Sequence, residues 1–388
     1  MKIIVREFDT QDQISEIAMD LRALATALQF CTIHLDEGLD PAPLLDAACD
    51  RGTRVMGGTS CCGTMTHNGA AAGFLFGIAD AEGAYGTAIV ELGDDPAAAA
   101  QAATLAAIAN ADRVGERPHM VWVYGTPGQE ESILKGIENV VGTDTPIVGG
   151  SAADNSVAGA WSVFADRVTS VRAVAIGVLY PSGEISLAYQ NGYAPTEHSG
   201  VVTRVTGRRI AEIDGRPAAE VYAEWTGGAV LTEAAPGQTC SILSEATFWP
   251  LGRETHRIAD VPYFLLAHPS AADDAGGLHL FAGIEEGERL TLMTGSASAL
   301  TERAGRVARL ALETGRLMPD DIAGAMIVFC GGCMLGVRDR LDDLVAGVRE
   351  ALPGVAFSVV FTFGEQGPIL NTGNRHGNLM VSCILFTK

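Results

Sequence analysis

The sequence predicts an α/β protein with mixed sheets and covering helices, built from repeated β-α-β-β-β units in a pseudo-duplicated or pseudo-threefold arrangement. Three observations support this fold class. The order strand, helix, strand, glycine turn occurs three times along the chain. The first two turns share a Gly-Gly-(Thr/Ser) sequence at 57–59 and 149–151, and a looser third turn lies at 364–367. Gly57 lies 27 positions after Phe30, and Gly149 lies 26 positions after Val123. This similar spacing indicates an internal repeat.

The first third of the chain shows alternating helical and strand patterns. Apolar residues at helical spacing predict a helix over 12–28. Prolines at the start of 41–49 predict a short helix there, and strands are expected at 29–35 and 54–56. The apolar runs 70–79 and 84–92 flank an Asp-Ala-Glu-Gly turn and predict an antiparallel hairpin. Asp94-Asp95-Pro96 predicts the start of a helix that ends near residue 111, because acidic residues favour a helix N-terminus.

The same periodicities predict the remaining elements. An Asp-Gly pair at 214–215 predicts a tight turn between two short strands. Further helices are expected at 129–141, 218–225, 298–314 and 338–352. Further strands are expected at 120–124, 146–150, 161–165, 171–180, 185–190, 201–207, 261–267, 278–282, 289–293, 325–330, 355–363 and 379–386.

Composition excludes several classes of partner. The 388-residue chain has a net charge of −21, and its lysines are Lys2, Lys135 and Lys388 alone. Such a chain lacks the basic patches that neutralise phosphates, so we expect it to bind neither nucleic acid nor an anionic membrane. The sequence contains no run of about 18 apolar residues and no signal-peptide pattern. Most of its cysteines lie in apolar or helical segments, which is typical of reduced cysteines in a cytoplasmic protein.

Cys61 and Cys62 lie among small residues in the first glycine turn. A thiol beside free backbone N–H groups is a candidate nucleophile, and Glu365 or His376 would then serve as its base. The alternative is that both cysteines are small apolar fillers of a tight turn.

A second cysteine pair, Cys330 and Cys333, forms a CxxC sequence after a predicted strand. This pattern is compatible with redox chemistry, but a zinc ribbon needs a second such pair. None of the eight histidines forms an HExxH or His-x-His motif, so no metal site is predicted. His67 and His376, near two of the glycine turns, are candidate general bases or axial haem ligands.

The three glycine turns are predicted to form one rim around a small ligand. Backbone N–H groups between Gly58 and Gly63 and at Gly150 would bind its oxygen atoms, and Arg375 would pair with a carboxylate. The other ligand-binding residues predicted around this rim are Thr59, Ser60, Ser151, Asp154, Asn155, Cys330, Cys333, Glu365, Asn374 and Asn378.

Several segments together resemble the FIST proteins, whose name stands for F-box and intracellular signal transduction. Residues 146–155 are similar to the family's second Gly-Gly-Ser-x-x-Asp-Asn turn, and 173–180 to the strand after it. The segment 202–222 is similar to the family's strand, Asp-Gly and Pro-Ala-Tyr connection. Residues 361–368 are similar to the C-domain Tyr-Gly-Glu-x-Gly-Pro turn. This chain departs from the family at Gly58-Thr-Ser-Cys-Cys-Gly63, where Gly-x-Ser-Thr-x-Gly-Glu is usual.

The resemblance implies a FIST N-terminal domain over 1–182, a connecting segment over 183–262 and a FIST-C domain over 263–388. It implies a cytoplasmic sensor of a small molecule, such as an amino-acid-like compound or another carboxylate, that signals through a separate partner protein. No cofactor is required for this role. Two alternatives stay open: a hydrolase or lyase that uses Cys61 or Cys62, and a haem-binding nitric oxide sensor, since one FIST subgroup binds haem.

Overall fold

The computed structural model describes residues 1–258, 260–369 and 372–388. Within these ranges its helices are α1 Gln11–Ala23, α2 Ala42–Asp50, α3 Pro96–Asn110, α4 Glu130–Val141, α5 Ala218–Trp225, α6 Leu243–Ala246, α7 Ala297–Gly315, α8 Gly331–Gly336 and α9 Leu341–Ala351, with 3₁₀ turns at Pro319–Asp321 and Arg338–Arg340. Their ends follow local signals: Thr10 caps α1 through a capping box, and Asp95 and Ser296 cap α3 and α7. The first helix ends at Ala23, before the predicted residue 28.

The strands account for most of the remaining chain. They are β1 Lys2–Phe8, β2 Phe30–Leu35, β3 Arg54–Thr59, β4 Thr64–Thr66, β5 Gly69–Ala71, β6 Gly73–Ala79, β7 Ala84–Glu91, β8 Met120–Gly125, β9 Ile147–Ser151, β10 Val163–Ala165, β11 Val168–Ser170, β12 Ala173–Tyr180, β13 Ile185–Gln190, β14 Ala194–Thr206, β15 Arg209–Ile213, β16 Arg216–Pro217, β17 Thr239–Ser241, β18 Leu251–Ile258, β19 Val261–Ala267, β20 Pro269–Asp273, β21 Leu278–Leu280, β22 Arg289–Thr294, β23 Ile322–Cys330, β24 Phe357–Thr362, β25 Glu365–Ile369, β26 Gly373–Gly377 and β27 Val381–Thr387.

Three six-stranded sheets share one arrangement. Their strand orders are β1-β6-β2-β3-β10-β11, β7-β12-β8-β9-β25-β26 and β13-β27-β23-β24-β4-β5. Each sheet has a central parallel pair: β2 with β3, β8 with β9, and β23 with β24. Each parallel pair has an antiparallel strand on one side and an antiparallel hairpin on the other. The remaining strands, β14–β22, form a nine-stranded sheet.

The hairpin at the end of each sheet comes from a distant part of the chain. Hairpin β10–β11 joins the sheet of β2 and β3, β25–β26 joins that of β8 and β9, and β4–β5 joins that of β23 and β24. No sheet is therefore one contiguous β-α-β-β-β unit. The predicted α/β class with mixed sheets and covering helices is confirmed, whereas the repeated unit is not confirmed.

The predicted hairpin of 70–79 with 84–92 is wrong. Strand β6 pairs with β1 and β2, while β7 pairs with β12 in another sheet. The turn between β6 and β7 thus passes from one sheet to the next. Both strands have apolar faces that suit either partner, so the local sequence alone could not distinguish the pairings.

The three sheets enclose a shared core, and helices cover their outer faces. Met120, Trp122 and Tyr124 of β8 point into the shared core, together with side chains of the other two sheets. The intervening Val121 and Val123 pack under α3 and α4. Helices α1 and α2 cover the first sheet in the same way, and α7 and α9 the third. These strands are buried on both faces, which explains their continuous apolar sequence.

Gly57 and Gly149 occupy equivalent places within two of the parallel pairs, opposite Ile33 and Val123. Their φ angles are 155° and 150°. A Cβ atom would lie 1.7 Å from the Ile33 carbonyl oxygen at Gly57, and 1.8 Å from that of Val123 at Gly149. The neighbouring strand approaches so closely that only glycine fits, which accounts for the shared Gly-Gly sequence.

Candidate functional site

The three glycine turns lie together, and backbone hydrogen bonds join each of them to the others. The Ala153 N–H donates to the Thr59 carbonyl at 3.0 Å, and the Cys61 N–H donates to the Phe361 carbonyl at 3.1 Å. The Ser151 N–H donates to the Gly364 carbonyl at 2.9 Å. Gly58 packs against the Tyr124 ring, and Gly150 packs against Thr362. The three turns, which the sequence predicted to form one rim, therefore lie in one region of the molecule.

The backbone donors of the first turn are bonded within the protein. The Ser60 N–H donates to the Leu35 carbonyl, and the Thr59 N–H donates to the Ser162 carbonyl. The Ser60 hydroxyl donates to the Gly63 carbonyl at 2.6 Å and accepts the Phe361 N–H at 3.0 Å. These groups hold the turns together, so they are not aimed into an open cleft.

Asp154 and Asn155 secure neighbouring loops. The buried carboxylate of Asp154 accepts the backbone N–H groups of five consecutive residues, from Ser156 to Ala160. The Asn155 side chain accepts the Cys62 N–H and donates to Asp36 at 3.0 Å. Both side chains therefore hold their own loops in place.

Cys61 is buried, whereas Cys62 is half-buried, with a left-handed φ of 54°. Their sulfur atoms are 4.0 Å apart. Burial and the neighbouring Cys62 raise the pKa of the Cys61 thiol far above its ordinary value. Within the part of the chain that the structure describes, no hydrogen bond joins either thiol to Glu365 or His376. The geometry therefore assembles no cysteine and base pair at this turn.

Glu365 is a buried carboxylic acid within the third turn. Its Oε1 accepts the Thr362 hydroxyl at 2.8 Å, and its Oε2 accepts the Met380 N–H at 2.9 Å. Burial raises its pKa to about 8, although the two hydrogen bonds oppose that shift. A neutral Glu365 is therefore well populated at neutral pH.

A small apolar pocket of about 30 Å³ opens beside the third turn. It has room for about one or two water molecules. Cys330 and Asn378, two of the predicted ligand-binding residues, line it together with Gly364 and His268. The Oδ1 atom of Asn378 accepts the backbone N–H of His268 at 3.1 Å. Cys333 lies behind Cys330 and is fully buried.

A second pocket, about 360 Å³ in volume, contains Asn374, Arg375 and His376, which are also among the predicted site residues. We call it the charged pocket. It lies between helix α4, strand β26 and the nine-stranded sheet. Its other lining residues are Glu131, Leu134, Lys135, Glu138, Arg253, Glu254, Thr255, Leu265, Glu288 and Thr372.

The walls of the charged pocket are held by hydrogen bonds. Arg208 donates to Glu130 and Glu131 at 2.6 Å each, and the Gly283 N–H donates to Glu131 at 2.7 Å. Partial burial opposes ionisation of Glu131, but the charges of His376 and Arg208 and the Gly283 hydrogen bond lower its pKa to about 2. Glu130 also accepts the Ser151 hydroxyl at 2.8 Å, which links this wall to the second glycine turn.

Three cationic side chains line the charged pocket. Lys135 and Arg375 are exposed and, among the described residues, make no ion pair within 4.0 Å. Arg253 is 17% exposed; its Nη1 donates to the Gly283 carbonyl at 2.9 Å and lies 3.8 Å from a Glu288 oxygen, while its buried Nε has no partner in the described chain. Lys135 and Arg375 are thus the two cations of this pocket that no described acidic side chain pairs with.

Sequence reasoning missed several residues around the two pockets. Glu131, Lys135 and Glu138 are spaced four and three apart on α4, so they share one helical face, and this spacing was a readable signal. Arg303 of α7 falls on the apolar stripe that includes Leu300 and Ala304, although a charged residue usually faces solvent. Arg253 lies in a segment that the sequence did not resolve into elements.

Neither of the two histidines predicted as axial haem ligands faces an apolar slot, which a haem needs beside its ligand. His376 lies in the charged pocket, and its ring nitrogens lie 3.3 Å from Gln366 Nε2 and the Phe281 carbonyl oxygen. His67 packs on Phe357, 6.2 Å between ring centroids, and lines neither pocket. Over the described ranges, no group of three or more His, Cys, Asp or Glu side chains is arranged to hold a metal ion.

The fold is that of an α/β protein of interlocked mixed sheets, with two pockets near the glycine turns and strand β26. The family model of the FIST N domain matches residues 25–216, and that of the FIST C domain matches residues 218–368. The chain therefore belongs to the FIST family, whose domains are associated with sensory signal transduction and small-ligand binding. The two matches meet inside the segment 183–262.

Two further similarities are weaker. An uncharacterised protein of Methanocaldococcus jannaschii is 30% identical over 156 residues, which cover 38% of this chain and 26% of that protein. The chain thus aligns with about a quarter of that relative's length. A crystal structure of a cyanuric acid hydrolase from A. caulinodans aligns over 100% of this chain and 99% of its own, with 10% identity and a TM-score of 0.41.

In the described chain, no helix has both the length and the apolar character needed to cross a membrane.

Proposed function

We propose that this protein binds a small carboxylate in the charged pocket and acts as a sensor of that metabolite. One observation carries the proposal: Lys135, Arg253 and Arg375 converge on a single pocket of about 360 Å³. Small-molecule sites typically have volumes of about 300–1,000 Å³. An Arg guanidinium binds a carboxylate through two parallel hydrogen bonds, and a lysine adds a point charge.

The two exposed cations of the pocket are open to an anionic ligand. Two of the four acidic residues in the pocket are held by arginines outside it: Glu131 by Arg208, which also binds Glu130, and Glu254 by Arg257. Lys135 and Arg375 make no ion pair among the described residues, so a ligand carboxylate would supply their partner.

The same pocket favours an amino-acid-like ligand over a simple acid. Glu138 lies one helical turn from Lys135 on α4, so its carboxylate is placed to accept an ammonium group beside the bound carboxylate. Glu138 already accepts the Asn374 amide at 3.2 Å, which holds its side chain against strand β26. The family's association with signal transduction supports a separate partner protein as the receiver of the signal.

Thermal denaturation with a defined ligand panel tests this proposal. The panel contains acetate, succinate, L-aspartate and L-glutamate, each matched with the compound in which every carboxylate is replaced by a primary amide, so that only the carboxylate charge is removed. We expect at least one carboxylate to raise the Tm while its amide does not, because a ligand that binds only the folded state stabilises it. The increase should disappear in Lys135→Gln and Arg375→Gln.

Two control variants remove equivalent charges elsewhere. Lys2→Gln changes a lysine outside the pocket. Arg306→Gln changes an exposed arginine that, like Arg375, donates a hydrogen bond to a backbone carbonyl. Both should keep the full response. The proposal is wrong if no carboxylate of the panel raises the Tm, or if the pocket variants respond as the wild type does.

A further inference from the structure

Cys330 and Cys333 lie at the junction of strand β23 and helix α8. Cys330 is the last residue of the strand and lines the small apolar pocket, with 4% of its surface exposed. Cys333 is fully buried and lies three residues further along, in helix α8. A reagent that enters the pocket therefore meets Cys330 first, and Cys333 follows it within one turn of the chain.

Arg303 gives this pair a second, independent feature. Its guanidinium is 1% exposed and lies over the Phe329 ring, 4.7 Å from the centroid. One of its nitrogens donates to the Leu379 carbonyl at 2.9 Å, while Nε and Nη2 have no partner among the described residues. A buried charge is costly unless an opposite charge lies nearby. The guanidinium therefore requires an anion in this cluster.

Cys333 meets that requirement better than its neighbours. Burial raises its pKa, but the neighbouring Cys330 and the Arg303 charge outweigh burial and lower the pKa to about 6, whereas burial and Cys333 raise the pKa of Cys330 well above its ordinary value. Both oxygens of Glu365 already accept hydrogen bonds, and burial raises its pKa to about 8. The Tyr193 hydroxyl, 3.5 Å from the Cys333 sulfur, donates to the Thr247 carbonyl, and burial raises the pKa of Tyr193. His268 faces the pocket as a neutral imidazole because burial lowers its pKa to about 4.

We propose that Cys330 and Cys333 form a peroxide-reactive dithiol that closes to a reversible disulfide, with Arg303 holding the charge of the reacting pair. The oxidant is hydrogen peroxide, which is little larger than the water molecules that the pocket can hold. Glutathione disulfide is far too large for a pocket of about 30 Å³. The pocket therefore selects the oxidant by size, independently of the carboxylate site.

The reaction balances in two steps. Cys330 passes its proton to the Cys333 thiolate in the minor fraction of molecules that the pKa difference between the two thiols allows, and the Cys330 thiolate of that fraction attacks one peroxide oxygen. The O–O bond breaks, Cys330 becomes a sulfenic acid, and the departing hydroxide takes the proton back from Cys333 and leaves as water. The Cys333 thiolate then attacks the Cys330 sulfur, the S–S bond forms, and the S–O bond breaks with release of hydroxide. The two sulfur atoms lose two electrons, and the peroxide gains them.

Peptide mass spectrometry after a brief exposure of the reduced, full-length protein to hydrogen peroxide tests the proposal. We expect a Cys330–Cys333 disulfide that dithiothreitol reverses and that glutathione disulfide does not form at a comparable rate. In Cys333→Ser the reaction should stop at a Cys330 sulfenic acid that dimedone traps. Cys383→Ser, which changes another buried cysteine of the same sheet, is the matched control and should form the disulfide normally.

Variants at Arg303 test the role of its charge. Arg303→Lys should retain most of the peroxide rate, and Arg303→Gln should reduce it about tenfold or more, the factor that one pKa unit represents. Circular dichroism checks that each variant folds. If Arg303→Gln does not fold, the Cys333→Ser and Cys383→Ser variants test the proposal without it. The proposal is overturned if Cys330 and Cys333 stay reduced while the half-buried Cys49 and Cys240 oxidise, or if folded Arg303→Gln reacts as fast as wild type. Neither result affects carboxylate binding at Lys135 and Arg375.

Discussion

The Oδ1 atom of Asn374 accepts the backbone N–H of Ile147 at 2.8 Å, although the two residues lie 227 positions apart in the sequence. The Asn374 amide also donates to the Thr145 carbonyl at 3.0 Å. One buried side chain thus joins strand β26 to the start of β9 and fixes one wall of the charged pocket. No local pattern in the sequence specifies such a link.

Replacement of Asn374 by alanine should destabilise the protein. It leaves the buried Ile147 N–H without its partner, and an unsatisfied buried donor costs about 1–3 kcal/mol. Urea denaturation measures the change in the free energy of unfolding. Asn68→Ala is the matched control, because Asn68 is exposed and its loss should cost less than about 0.5 kcal/mol. Equal stability of Asn374→Ala and wild type would show that this link contributes nothing.

Glu131 should make stability depend on acid pH. Its folded-state pKa of about 2 lies below the ordinary value of 4.5. A depressed carboxyl pKa contributes stability that is present above the unfolded-state value and is lost as the pH falls through the folded-state value. The free energy of unfolding should therefore fall between about pH 4.5 and pH 2. Glu131→Gln should flatten this part of the urea-denaturation profile, and an unchanged profile in that variant would contradict the assignment.

Alkylation by iodoacetamide distinguishes a buried Cys61 from a catalytic one. Burial raises the Cys61 pKa, so we expect it to react at least about tenfold more slowly than half-buried Cys62, because only the thiolate is alkylated. Peptide mass spectrometry over time measures both rates, with the half-buried Cys240 as the control thiol. A rapid reaction at Cys61 near neutral pH would support the hydrolase or lyase alternative instead.

The residues that the sequence predicted well are those fixed by local patterns. Capping residues and apolar periodicity placed most helices and strands to within a few residues, and the close approach at Gly57 and Gly149 was visible as repeated Gly-Gly sequences. The strand pairings were not predictable in the same way, because the hairpins β4–β5, β10–β11 and β25–β26 each complete a sheet from a distant part of the chain.

The site was predictable only in part for the same reason. Sequence reasoning singled out residues near the turns, and the structure divides them between hydrogen bonds that hold the turns, as for Asp154, and the two pockets, as for Cys330 and Arg375. Lys135 and Arg253 reach the charged pocket from other elements, and Arg303 is buried over the Phe329 ring, so their roles depend on tertiary contacts.

Addition of haem should produce no specific complex. His376 contributes to a charged pocket and His67 packs against Phe357, so neither faces an apolar slot for the porphyrin. Absorption spectra of the protein titrated with hemin should show only the spectrum of the free compound. A saturable Soret band that disappears in His376→Ala or His67→Ala would contradict this prediction and favour the nitric oxide sensor.

Binding of a ligand carboxylate by the cations of the charged pocket can be measured by isothermal titration calorimetry. The titrations compare wild type with the Lys135→Gln/Arg375→Gln double variant, using the carboxylate panel and the matched amides. We expect saturable binding of at least one carboxylate to wild type, and at least about tenfold weaker binding to the double variant, a difference of about 1.4 kcal/mol. Equal affinity for both proteins, or no saturable binding of any carboxylate to wild type, would contradict the claim.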